Sequence, residues 1–187
     1  MSQDIAQQTK VETGMLKYLV EGLRATIAWK VQGGDFSRKL STLRFIVRSF
    51  RTHLDRLFAL EEFDGYMDLV RKKSPRLSRT VDELRQEHDS FRTEIRLIAH
   101  ALERIVAADL SRFDTLCNEL VDLLDKLDEH GRKEADLFLE AFEQVVAAVK
   151  RESPRQRTTK RPWEIRFVGP KSSLANGRIK LKGFFPV

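Results

Sequence analysis

Residues 116–141 read LCNELVDLLDKLDEHGRKEADLFLEA, and their pattern decides the fold. Leu116, Leu120, Leu123, Leu127, Leu137 and Ala141 fall at steps that keep to one face of an α-helix. Two positions of the same stripe hold His130 and Glu134 where the pattern asks for leucine. A helix this long with one apolar face belongs in a bundle, and adjacent ionisable groups on that face need partners inside it.

Three more stripes precede it. In residues 10–32, Leu16, Leu19, Val20, Leu23, Ile27 and Val31 keep helical spacing until Gly33-Gly34-Asp35. In residues 37–70, Leu40, Leu43, Val47, Phe50, Leu54 and Leu57 lead on to Glu61, and Lys72-Lys73-Ser74-Pro75 closes the segment. From Ser78, the residues Leu84, Phe91, Ile95, Ile98, Leu102 and Ile105 form a third stripe that stops around Ala107-Ala108-Asp109, with Asp109 placed as N-cap of the fourth. Short connections between long helices make neighbours antiparallel. The expected fold is therefore all-α, an up-down-up-down four-helix bundle over residues 1–151. Residues 152–187 read as a basic linker and tail. Within it, 163–168 and 178–182 alternate apolar and polar residues around the turn signals Gly169-Pro170 and Asn176-Gly177, the pattern of a small β-hairpin.

Composition agrees with one folded domain and an appendage. Among 187 residues, 41% are hydrophobic and 33% charged, a balance that argues against a disordered chain. Residues 1–150 hold 24 basic and 26 acidic side chains, whereas residues 151–187 hold 10 and 2, so the basic character belongs to the tail. No apolar run approaches the ~18 residues of a membrane span, and the N-terminal stretch lacks the basic start and apolar core of a secretion signal. The cytoplasm is the expected location, and the single cysteine, Cys117, fits a reducing compartment.

The third stripe also carries an ionisable residue, His88, and the second carries Glu61. Counting from the helix ends in an antiparallel arrangement puts Glu61, His88 and His130 at one depth, with Glu134 one turn from His130 on the same face. Unpaired ionisable groups in a core are costly, so this set should be paired internally or bound to a metal.

Leu60-Glu61-Glu62-Phe63-Asp64-Gly65-Tyr66, Leu84-Arg85-Gln86-Glu87-His88 and His130-Gly131-Arg132-Lys133-Glu134-Ala135-Asp136-Leu137-Phe138, in that order on three helices, resemble the hemerythrin-like, or HHE cation-binding, family. The resemblance covers roughly residues 10–150. It implies a four-helix bundle holding non-haem iron, usually a pair, and binding or sensing oxygen, nitric oxide or iron. By the same resemblance Glu61, His88, His130 and Glu134 match the family's ligands. Two ligand positions depart from it: a second-helix histidine falls at Leu57, and a first-helix histidine maps to about Thr13. Their joint loss implies a mononuclear or incomplete di-iron site, for which manganese or zinc would also suit the two histidines and two carboxylates. His53 and Glu12 are the candidate replacements, although His53 stands roughly 12 Å along the helix from Glu61.

Plainer readings stand beside these. The four core groups could form a hydrogen-bonded network without metal, in a degenerate helical scaffold. His100 reads as a helix-surface histidine and Cys117 as a small buried residue, while Glu62-Phe63-Asp64-Gly65-Tyr66 reads either as a segment supporting the ligands from behind or as a local helix distortion at Gly65. The tail's arginines and lysines, interleaved with Trp163, Phe167, Phe184 and Phe185, could contact nucleic acid, an acidic protein or an anionic surface, or could instead pack as strands on the bundle. With no nucleophile–base arrangement, phosphate loop or cofactor fingerprint, the sequence points to a binder or sensor of metal or a small diatomic ligand and away from an enzyme.

Overall fold

A computed structural model describes residues 3–30, 35–63, 65–106 and 109–152. Its elements are α1 (Gln3–Ala28), α2 (Phe36–Glu62), α3 (Tyr66–Lys73), a 3-10 turn (Pro75–Leu77), α4 (Ser78–Glu103) and α5 (Leu110–Glu152). The fold is an all-α bundle of four long helices, and no strand occurs among the described residues. Residues up to Phe142 belong to one compact unit, and Glu143 opens a second. The hairpin expected at 163–168 and 178–182, and the rest of the tail, lie outside the described residues.

Cross-helix contacts fix the directions. Glu12 meets His53 and the Ile27 carbonyl meets Lys39 between α1 and α2. Arg48 meets Glu103 and Glu62 meets His88 between α2 and α4. Glu94 meets Lys126 and Glu87 meets Lys133 between α4 and α5. In each case the residue number rises along one helix as it falls along the other, which is antiparallel packing. Arg24 on α1, bonded to Asp125 and Asp128 on α5, closes the ring.

The apolar stripes of α2, α4 and α5 are buried where they are described, and α1 contributes Leu16 and Leu23 with Leu19, Val20 and Ile27 packed against them. The core is nevertheless in two parts. A larger cluster includes Phe50, Leu54, Leu57, Phe58, Phe91, Ile95, Leu123 and Leu127. A smaller one includes Met67, Val70, Val81, Leu84 and Leu137. Along α4 the change falls between Leu84 and Phe91, and along α5 between Leu127 and Leu137. Those intervals contain His88, His130 and Glu134.

Helix ends near the larger cluster are closed by cations. The buried Lys39 Nζ donates to the Ile27 and Trp29 carbonyls, both at 2.8 Å, and so satisfies the C-terminus of α1. Arg44 does the same for α4, with Nε 2.9 Å from the Leu102 carbonyl and Nη2 at 3.0 and 2.9 Å from those of Glu103 and Ile105.

The segment 37–70 is not the single helix that periodicity predicts. α2 stops at Glu62, Phe63 turns extended (φ −105°, ψ 111°), and α3 restarts at Tyr66. The cause is backbone crowding at Gly65, where a Cβ would stand 2.1 Å from the Leu60 carbonyl oxygen and 2.5 Å from that of Glu61. Only glycine lets the chain pass that close. α4 likewise ends at Glu103, a turn before the expected Asp109, with Ile105 still buried beyond it.

Gly65→Ala should therefore destabilise the protein by about 2 kcal/mol or more, since backbone must move to admit the methyl group. Gly22→Ala should behave oppositely: its Cβ would make an ordinary 3.6 Å contact with Ile46 Cδ1, and alanine in mid-helix is worth about 0.5–1 kcal/mol over glycine. Urea unfolding of the two variants against wild type tests both signs.

Candidate metal centre

Glu61, His88, His130 and Glu134 form one buried cluster between the two apolar parts of the core. His88 and His130 come from facing stripes of α4 and α5, and their Nε2 atoms are 2.8 Å apart. Glu134, one turn along α5, places Oε1 3.5 Å from His88 Nε2 and 3.3 Å from His130 Nε2. Glu61, the last seam residue of α2, has Oε2 3.7 Å from His88 Nε2.

Each imidazole is held from behind by a carboxylate. His88 Nδ1 is 2.7 Å from Glu62 Oε1, and His130 Nδ1 is 2.7 Å from Glu87 Oε2. An ionised carboxylate only accepts, so each Nδ1 carries the proton and each Nε2 lone pair turns toward the cluster. The carboxylates are kept ionised in turn. Arg92 Nη1 lies 2.9 Å from Glu62, and Lys133 Nζ lies 2.6 Å from Glu87. Burial works against charge on Glu62 and Glu87, but the hydrogen bonds and charges of His88 with Arg92, and of Lys133 with His130, outweigh it and hold both below the usual carboxylate range. Phe58 stacks on the His88 ring with centroids 3.7 Å apart and planes 10° from parallel, while Phe91 meets His130 edge-on. The rings have little freedom to rotate.

The two inner carboxylates differ. Burial opposes ionisation of Glu134, but the adjacent His130 and His88 rings prevail and pull its pKa down. The Tyr66 hydroxyl donates to the same Oε1. Burial, reinforced by the charge on Glu134 and then on Glu62, drives Glu61 well above the ordinary range. Its buried Oε2 has no hydrogen-bond donor. For His130, burial disfavours the cation, but the contacts with Glu134 and Glu87 outweigh it and raise the pKa. Tyr66 is pushed far up by burial and by the charges of Glu134 and Glu61, so its phenol stays protonated and a donor.

The donor set fits a metal ion. Two imidazole Nε2 lone pairs and a Glu134 oxygen lie within 4.8 Å of one another, near the about 3.0–3.4 Å expected between neighbouring ligand atoms that share one ion at about 2.1 Å. A cation would also give the orphaned Glu61 oxygen the positive partner that the protein withholds.

Other residues singled out in the sequence lie elsewhere. Leu57 is fully buried in the larger apolar cluster, and the Thr13 hydroxyl donates to the Thr9 carbonyl of its own helix. His53 and Glu12 are engaged with each other, Nδ1 to Oε2 at 2.5 Å, with Arg56 3.8 Å from Glu12. His100 is exposed, and Cys117 is buried with burial pushing its thiol up to about 11. Glu62 and Tyr66 lie in the segment whose sequence allowed a supporting role, whereas the roles of Glu87, Phe58, Arg92 and Lys133 escape sequence reasoning. Glu62 and Glu87 adjoin Glu61 and His88 in sequence, yet Glu87 serves His130 on the facing helix, which spacing along one helix does not disclose.

The apparent costs predict the pH response of metal-free protein. A carboxyl whose folded pKa lies above its unfolded value favours folding at low pH, and that contribution is lost as pH rises through the folded pKa. The raised His130 acts in the same direction. In excess chelator, stability should fall as pH rises from about 5 to 8, and Glu61→Gln should flatten part of this fall and be the more stable protein at the upper end. Identical urea-unfolding profiles for the two proteins would contradict the assignment.

A family model described as Hemerythrin HHE cation binding domain matches residues 14–142. Neither the curated proteins nor the solved structures contain a match to the chain.

Proposed function

A match over most of its length makes this chain a member of the hemerythrin HHE cation-binding family, and from that premise we propose that it holds one non-haem iron ion through His88, His130, Glu134 and Glu61, as a binder or sensor. The observation that carries this reading is the convergence of two Nε2 lone pairs and one buried carboxylate oxygen on a single point. Two histidines and one carboxylate with positions left open are the donor set of ferrous sites, whereas structural zinc favours a closed, thiolate-rich set. Glu61 supplies a fourth donor, a second carboxylate oxygen.

Ferrous iron bound there would supply an open coordination position for a small diatomic molecule. The chain's own residues prepare the place for it. Glu62 and Glu87 fix the tautomer and plane of His88 and His130, and Arg92 and Lys133 keep those carboxylates ionised. Tyr66 holds one lone pair of Glu134 by donating its phenolic proton. Phe58 and Phe91 exclude water from the imidazole faces. One ion suits these residues better than two, since Leu57 and Thr13 offer no ligand at the level of the bundle where the family's second iron is expected. The proposed role is binding and not catalysis.

Protein purified without added metal and analysed for elemental content should contain about one iron per chain, and the His130→Ala, Glu134→Ala double variant should contain none. A chain that stays metal-free after anaerobic reconstitution with ferrous iron would overturn the proposal and leave the cluster as a hydrogen-bonded network. Two ions per chain would instead refute the single-site form of it. Glu62→Gln and Glu87→Gln should each weaken metal retention by roughly 10- to 100-fold in competition with a chelator, by loosening the histidine behind which each carboxylate stands.

A further inference from the structure

Between α2 and α4, about 12 Å along α4 from His88, the surface sinks into a concavity of about 390 Å³. Ala99 leaves the depression open, above the buried side chains of Val47 and Leu102. Its walls carry four arginines against one acid, a surplus of three positive charges before His100 is counted. On α2, Arg44, Arg48 and Arg51 occupy successive turns of one face, and Arg96 and His100 do so on α4.

These cations are not equivalent. Arg44 is committed to the last carbonyls of α4. Arg48 pairs with the one acid, Glu103, at 2.8 Å across a solvent-exposed contact that contributes little. Arg51 and Arg96 have neither a hydrogen bond nor an ion pair with any described residue. They also stand at the same level of the antiparallel pair, bracketed by the Arg48–Glu103 contact on one side and Arg92–Asp55, at 3.9 Å, on the other. On either side of them along this groove an arginine faces an acid. Here two arginines without a counter-charge line one hollow, an arrangement that repels in the absence of an anion.

We propose that this concavity binds a compact polyphosphate group, with Arg51 and Arg96 as its principal contacts and Arg48 and His100 at its edges. Guanidinium forks match phosphate oxygens two at a time, which favours phosphate over a point-like anion. The arginine row on α2 extends over about 10 Å, the reach of a short chain of linked phosphates more than of a single one. A nucleic-acid backbone would need a longer basic stripe than these two turns, with Asp55 beyond one end and Glu103 at the other. The proposal does not depend on the metal reading, since the core cluster contributes no residue to the hollow.

Isothermal titration of the full chain with tripolyphosphate tests it. Binding should be saturable, weakened roughly tenfold or more in Arg51→Ala, Arg96→Ala, and retained in Lys180→Ala, Lys182→Ala, which lowers the charge of the tail. It should also persist in His130→Ala, Glu134→Ala, which removes any contribution from tripolyphosphate chelating a core ion. ATP should bind like tripolyphosphate and adenosine should not, so that the phosphate chain is the group recognised. Arg51→Lys, Arg96→Lys keeps both charges and should still lose affinity, a check that holds if the alanine variant fails to fold by circular dichroism. No saturable binding, equal loss in the tail variant, adenosine binding as tightly as ATP, or binding of an RNA oligonucleotide without tripolyphosphate would each overturn the proposal.

Discussion

Moving a carboxylate or an imidazolium out of water costs several kcal/mol unless an opposite charge and a full set of hydrogen bonds come with it, and this protein does so four times in one layer of its core. The arrangement around Glu61, His88, His130 and Glu134 is a graded response to that cost. At the centre, each imidazole has one nitrogen proton and one lone pair to place. The protons go outward to Glu62 and Glu87, half-buried at the rim, where Arg92 and Lys133 reach them from solvent. Positive charge is thus supplied from the surface through a carboxylate to each histidine. The lone pairs are left facing inward, and there the protein provides too few donors: Glu134 takes Tyr66, and Glu61 Oε2 takes none. An interior satisfied on its outer side and short of positive charge at its centre is built around a cation.

The break after α2 belongs to the same problem. A helix continuing straight through Glu62 would carry residues 63–70 onward at the period of α2, and Tyr66 would follow Glu61 on the side facing away from the seam. The extended Phe63 and the close passage of Gly65 over the Leu60 and Glu61 carbonyls reset that period. Tyr66 then reaches Glu134, while Met67 and Val70 supply the smaller apolar cluster below the polar layer. The local cost of the break is offset by a hydrogen bond to the most buried carboxylate and by closure of the core beneath it.

Much of this was legible before any coordinates. The periodic leucines of residues 116–141 and the three earlier stripes set helix number, direction and the depth at which Glu61, His88, His130 and Glu134 would meet, because helical period and antiparallel packing are nearly rigid rules. What could not be read depends on rotation between helices. Whether Glu87 turns toward its neighbour His88 or across to His130 is decided by a few tens of degrees about the α4 axis, and a hydrophobic stripe about 100° wide leaves that angle free. The break near Gly65 was legible only as a possible distortion, for a different reason: apolar residues continue at helical spacing on both sides of it, so only the isolated glycine marked the position. Helix ends at Glu103 and near Asp109 were similarly blurred, because Ile105 stays buried after the helix has ended.

The apolar side of the layer argues for how many ions it can serve. Two ions sharing carboxylates would need nitrogen donors on both sides of Glu61 and Glu134. Toward the smaller cluster stand Leu84 and Leu137, and toward the larger one stand Leu57, Phe58 and Phe91, with the Phe58 ring lying flat on His88. The remaining histidine on α2, His53, is tied to Glu12, and Thr13 to its own helix. Packing has therefore been completed on both faces of the layer with carbon. Such a core gains the stability of two apolar clusters, roughly 25 cal/mol for each Å² removed from water. The four groups that remain, Glu61, His88, His130 and Glu134, are the buried polar layer between those clusters, and Glu61 and Glu134 are the two carboxylates that their surroundings treat most unequally.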